Sequence, residues 1–133
     1  DHGTWSILVH MYPNATIPVI QMSIDFTLSP LSQFELAQKL QILRQKGVLI
    51  IGSGNIVHNL GMADFRRIHD VDYGYDWAAE VRETVNKYLL NGDHKPLIEY
   101  EKQSVAFKKA IPTPEHYLPL LYILGLKEKN EPI

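Results

Sequence analysis

Apolar residues recur at helical spacing from Thr4 to Tyr12, and Pro13 ends the pattern. Pro18-Val19-Ile20-Gln21-Met22-Ser23-Ile24 then reads as a strand with its proline tolerated at the start. Ser29-Pro30 and the box Ser32-Gln33-Phe34-Glu35 open a helix that carries Leu36, Leu40 and Leu43 on one face, with Arg44 and Lys46 in the last turn and Gly47 closing it. Val48-Leu49-Ile50-Ile51 is apolar at every position, as a strand covered on both faces of a parallel sheet should be. Strand, helix and strand in this order predict a right-handed βαβ unit.

Further along, Val81, Val85, Tyr88 and Leu89 form one stripe, predicting a helix from about Asp76 to Leu90 with Gly92 as its stop. A polar, helical excursion fills the stretch between Asn91 and Ile111. The last helix is expected to start with Thr113 as N-cap and Pro114 at its first position. Leu118, Leu120, Leu121, Ile123 and Leu124 leave it almost no polar face, so it must be buried, and Pro119 should kink it. The expected fold class is α/β, a mainly parallel sheet flanked by helices. Two strands are marginal alone, so residues 1–133 read as part of a larger domain. The ends agree, since both Asp1 and the Lys129 to Ile133 stretch look cut.

Composition narrows the chemistry. The formal net charge is −2 and the basic residues are scattered, which leaves no phosphate-tracking stripe and argues against a nucleic-acid partner. No cysteine is present, so any metal must take nitrogen and oxygen ligands. No apolar run approaches the roughly 20 residues that span a bilayer, and no signal peptide is visible, so a soluble, cytoplasmic chain without a membrane partner is expected. The sequon Asn14-Ala15-Thr16 therefore carries no weight.

Three of the six histidines stand in distinctive contexts. His58 follows Gly52-Ser53-Gly54-Asn55, which comes directly after the apolar strand, where the ligand crevice of an open α/β sheet lies. The same stretch would also suit a tight turn whose histidine bonds a nearby carbonyl. A dinucleotide fingerprint fits less well, because Val57 stands where the third small residue should be. His116, near the start of the last helix, would keep a lone pair available for a metal, or would simply cap the helix beside Tyr117. Glu115 could act as a nearby acid or complement the helix dipole. His2 follows Asp1 and could carry protons or be a terminal residue without a role. His10, His69 and His94 read as surface or satisfied structural histidines, and Arg66, Arg67, Asp70, Asp72 and Asp76 as a solvated loop. A histidine-lined metal site assembled from distant parts of the chain would place the His58 and His116 rings facing each other across a pocket.

The motifs Asp1-His2-Gly3-Thr4-Trp5, Met11-Tyr12-Pro13, Ile17-Pro18-Val19, Gln21-Met22-Ser23-Ile24, Ser53-Gly54-Asn55-x-x-His58-Asn59-Leu60 and Pro112 to Leu121 run through nearly the whole chain. In this order they resemble the class III extradiol ring-cleavage dioxygenases, most closely the DOPA 4,5-dioxygenase branch. The resemblance covers the later part of the family's domain and implies that the chain is its C-terminal half. It further implies an enzyme that opens a catechol ring beside its two hydroxyls with O2, using non-haem Fe(II), or zinc in its place. By motif, His116 would be a metal ligand, His58 a ligand or the general base, and His2 an acid or base close to the metal. Ser53, Gly54, Asn55 and Tyr117 would meet the substrate.

The family also draws on two histidines from an earlier part of its domain, in His-Gly-x-Pro and Ala-His motifs that do not occur in these 133 residues. The missing N-terminal part of the domain is therefore an expected partner, the isolated chain is expected to be inactive, and strand edges left unpaired would favour a homo-oligomer. Two alternatives use the same residues: a zinc hydrolase with a metal-bound water, and a non-catalytic nucleotide-binding or assembly module built on the glycine loop.

Overall fold

The computed structural model describes residues 2–71, 73–128 and 130–132, His2 by its backbone alone. Among the described residues are six α-helices: α1 His2–Met11, α2 Pro30–Gln45, α3 Asp76–Asn91, α4 His94–Ile98, α5 Val105–Ala110 and α6 Leu118–Leu126. Short 3-10 turns lie at Leu60–Met62, Phe65–Arg67 and Tyr100–Lys102. Among the described residues no helix is long and apolar enough to cross a membrane.

The expected parallel sheet is absent, which corrects the α/β assignment: among the described residues there is no strand. Neither Pro18 to Ile24 nor Val48 to Ile51 pairs into a ladder, so the βαβ unit does not form either. The physical reason is that a helix satisfies its backbone within one segment, whereas a strand needs a neighbour to take its N–H and C=O groups. No described segment takes that place: Ile24 and Ile50 pack against the helical core, but Ile20 at 93% and Leu49 at 64% exposure stay uncovered.

The helical predictions fare better because their signals are local. Ser29 caps α2, its hydroxyl oxygen accepting from the Ser32 backbone N–H at 3.1 Å, and Pro30 occupies the first turn. Gly92 ends α3 in the left-handed region at φ 67°, where its N–H reaches back to the last carbonyls of the helix.

The core is organised by α6. One side of the helix sends Leu118, Leu121 and Leu124 into a cluster with Val81 and Val85 of α3, Leu97 of α4 and Phe107 of α5. The other side puts Tyr122 and Leu126 against Ala37 of α2. Its nearly unbroken apolar composition is thus explained by partners on two sides. Gly125 lets α2 come close, since a Cβ there would sit 2.8 Å from the Ala37 Cβ. The carbonyls left unpaired at the α6 C-terminus are taken up by α2: Gln41 Nε2 donates to Gly125 O at 3.1 Å and Arg44 Nη1 to Leu126 O at 2.7 Å. Arg44 also forms a two-pronged ion pair with Glu131, tying the tail to α2.

Thr113 does not cap this helix. It begins at Leu118, after a turn in which the Tyr117 and Leu118 N–H groups both donate to Pro114 O at 2.9 Å. Pro119 explains the later start. In the first turn its missing N–H costs nothing, whereas a helix begun at Pro114 would hold Pro119 in its interior, with a bond lost and a clash gained. The expected kink disappears for the same reason.

Candidate metal centre

Residues 54–59 are stitched to residues 109–116 by hydrogen bonds to main-chain carbonyls. Asn55 N–H donates to His116 O at 2.8 Å, His58 N–H to Ala110 O at 2.8 Å, and the Asn59 side-chain Nδ2 to Lys109 O at 2.7 Å. Gly54 makes the approach feasible, because any Cβ there would run into the His116 carbonyl oxygen. A Cβ at Gly52 would likewise come within 2.6 Å of Ile123 Cγ1. The free faces of both glycines are therefore used in packing against the turn and α6, which accounts for them without a phosphate and takes away the basis of the nucleotide-loop alternative.

This stitching brings together the two histidines singled out from the sequence. The rings of His58 and His116 stack with centroids 3.6 Å apart and planes inclined by 27°. They touch instead of facing each other across a pocket. No ligand fits between ring faces at that separation, so only the ring edges, where the nitrogens are, remain open to one. Glu115 completes the group: with His58 and His116 it offers three ligand atoms that all lie within 4.8 Å of one another, each residue being half-buried.

Glu115 is held from below. Thr113 Oγ1 donates to its Oε1 at 2.6 Å. That bond and its own backbone N–H, with lesser help from the His116 and His58 imidazoles, keep its carboxyl below the usual carboxylate range against the opposing effect of burial. Two imidazoles and a carboxylate form an N/O donor set of the kind that suits first-row divalent metals. The 4.8 Å within which the three ligand atoms lie is somewhat wider than the span of about 4 Å that two ligand bonds of about 2 Å can bridge, so small side-chain rotations would bring them onto one metal. The residues fit a metal.

The remaining sequence-predicted residues divide. Ser53, Gly54 and Asn55 are exposed on the loop beside the stack. Tyr117 points the other way. Its side chain is only 1% exposed, its ring lies 4.5 Å from that of Tyr100, and its hydroxyl donates to Leu97 O at 2.9 Å in the core. Burial pushes that hydroxyl's pKa well up, and the group serves to anchor the turn carrying His116. The His2 side chain, proposed as a proton carrier, lies outside the described residues. His10 and His69 are exposed, and His94 meets Phe34 edge-on at 5.9 Å, in keeping with structural roles. The expected solvated loop contains the ion pairs Arg66–Asp64 and Arg67–Asp70. What the sequence did not reveal is the Thr113–Glu115 contact. The spacing of a hydroxyl two residues before a carboxylate, in a proline-rich turn, was its only signal.

Residues 1–132 match the family model for the catalytic LigB subunit of aromatic ring-opening dioxygenase, and the chain belongs to that family. Among curated relatives, it is 41% identical to the 4,5-DOPA dioxygenase extradiol of Escherichia coli (strain K12) over 136 residues, covering 100% of this chain and 49% of that protein. It is 37% identical to the protein of the same name from Beta vulgaris, covering 98% of this chain and 47% of the relative. The crystal structure of an uncharacterized protein from Escherichia coli K12 is similar with a TM-score of 0.87 at 39% identity, over 99% of this chain and 54% of that one. The chain spans about half the length of the curated relatives it matches.

Proposed function

We propose that this chain carries the His58–His116 side of the metal site of an extradiol dioxygenase that opens the ring of a catechol, DOPA or a similar aromatic diol, with O2. The observation that carries the reading is the stacked pair with Glu115 beside it, formed by motifs 58 residues apart in a chain of this family. The names of the relatives support the substrate class.

His116 is assigned as a metal ligand and His58 as a ligand or general base, with Fe(II) as the metal and zinc as its substitute. When bound, such a metal supplies adjacent open positions and the Lewis acidity that brings a diol and O2 together. The chain's own residues do the rest. The stitched loops hold both imidazole edges in one place, which supplies orientation before substrate arrives. An unprotonated ring nitrogen of His58 can accept a phenolic proton. Ser53, Gly54 and Asn55, exposed on the same loop, are placed to meet the diol, and His2 remains a candidate proton carrier.

The family's remaining ligands lie outside these residues, so the rest of the domain is the proposed partner, covering the exposed apolar runs at 17–22 and 48–51. The experiment is metal analysis with oxygen uptake on a catechol, using the protein that carries this chain. A ring-opened product is expected from the wild type. His116→Ala should lose tight metal binding and His58→Ala should lose ring opening. Full turnover by His58→Ala would remove that residue from the mechanism.

A further inference from the structure

A histidine that serves as a ligand must present one chosen nitrogen, and the choice is made by the group that takes the hydrogen on the other. Glu115 is the carboxylate that shares the cluster with His58 and His116. A half-buried glutamate without a partner would normally spread over its rotamers. Here the Thr113 hydroxyl holds it at 2.6 Å, within a turn whose flanks, Ile111 and Tyr117, are both buried. The turn is also closed on itself through Pro114 O and bonded to Asn55 N–H through His116 O. The carboxylate is thus kept beside the rings by a chain of contacts that serves no evident packing purpose, since both Thr113 and the Glu115 side chain lie outside the two apolar clusters.

We propose that Glu115, held by Thr113, is a positioning residue of the histidine pair: its carboxylate accepts the ring N–H of one imidazole, fixes that tautomer and leaves the other ring nitrogen free for its role as ligand or base. The inference rests on the metal-site reading above. The remaining gap, within the 4.8 Å spread of the cluster, closes by rotation about side-chain torsions of the ring or the carboxylate. The Thr113 bond leaves room for this, because a carboxylate offers about four lone-pair sites.

The test uses the protein that carries this chain, purified free of metal, with two readouts. Nitrogen-15 NMR of the metal-free protein reads the tautomers of His58 and His116, and titration with Zn2+ reads affinity. In the wild type one of the two rings should hold a single tautomer. Glu115→Gln should mix the tautomers and weaken zinc binding by about 10- to 100-fold, the usual cost of losing a partner that orients a ligand. Thr113→Val should move both readouts the same way by less, and Thr113→Ser should restore them. Should Glu115→Gln fail to fold, Thr113→Val, which keeps the carboxylate, carries the same test. Unchanged tautomers and affinity in these variants overturn the proposal. So does complete loss of zinc binding in Glu115→Gln equal to that of His116→Ala, which would make Glu115 a ligand itself. A wild type that binds no metal sinks the metal-site reading instead, and the tautomer measurement then still decides the role of Glu115.

Discussion

Helix α6 and the two apolar runs at 17–22 and 48–51 are alike in composition and opposite in fate. Leu121 is completely buried, whereas Ile20 and Leu49 stand in solvent. The same contrast separates the packed helices α2 to α6 from α1, where Trp5, Val9 and Met11 are exposed. An apolar run states a requirement for burial without saying what meets it. For α6 the partners α2, α3, α4 and α5 are in this chain. Of the runs, Ile50 alone rests on the Ala37–Tyr122–Leu126 cluster, and Ile17, Val19, Ile20, Met22, Val48, Leu49 and Ile51 stay exposed, an apolar surface of the kind used in further contacts. The histidine stack lies at the junction: its His116 is held by the packed half, and its His58 lies seven residues beyond one of the exposed runs.

Side-chain truncation should have opposite consequences in the buried helix and in the exposed run. Leu121→Ala should cost about 2–5 kcal/mol, while Leu49→Ala in the same 133-residue chain should stay within about 0.5 kcal/mol. Denaturant titration of both variants checks this, and equal losses would erase the distinction. In a longer polypeptide that covers the run, Leu49→Ala should become costly.

Next in size is the junction itself. Gly54→Ala drives a methyl group into the His116 carbonyl and should cost about 1–3 kcal/mol, with zinc affinity falling because the two loops must separate. Thermal melts and metal titration read the two effects, and a variant that kept both would show that the close approach is not needed.

Tyr117→Phe asks whether this residue belongs to the core or to the ligand. Removing its hydroxyl leaves the buried Leu97 carbonyl without its donor, a loss of about 1–2 kcal/mol. The substrate KM should be unchanged. A raised KM at unchanged stability would return Tyr117 to the substrate side.

The smallest effect is expected at the tail. Arg44 holds the Glu131 carboxyl down at about 2 from its ordinary 4.5. A carboxyl depressed in the folded state stabilises above its unfolded pKa, and that contribution is lost as pH falls from about 4.5 towards about 2. Glu131→Gln should therefore lower the melting temperature at neutral pH, by an amount kept small because the pair is half-exposed, and should flatten its fall over that window. An unaltered acid profile would show that the latch contributes nothing.

Much of this protein is written locally. Ser29 with Pro30, Gly92, and the stripe of Val81 and Val85 specify helices α2 and α3 through interactions within a few residues, so they are legible without a fold. The family, too, is carried by short motifs, and His58 and His116 stand out from their contexts alone. Other features depend on what comes near in space. Whether Val48 to Ile51 becomes a strand rests on a hydrogen-bonding neighbour, which no single segment can supply. Where α6 starts followed from weighing Thr113 and Pro114 against Pro119 within a packed turn. The stacking of two rings 58 residues apart in sequence, the inward turn of Tyr117 and the hold of Thr113 on Glu115 arise from loops meeting over a shared core. Side-chain direction and long-range contact are properties of that meeting, and residue order alone does not encode them in any readable period.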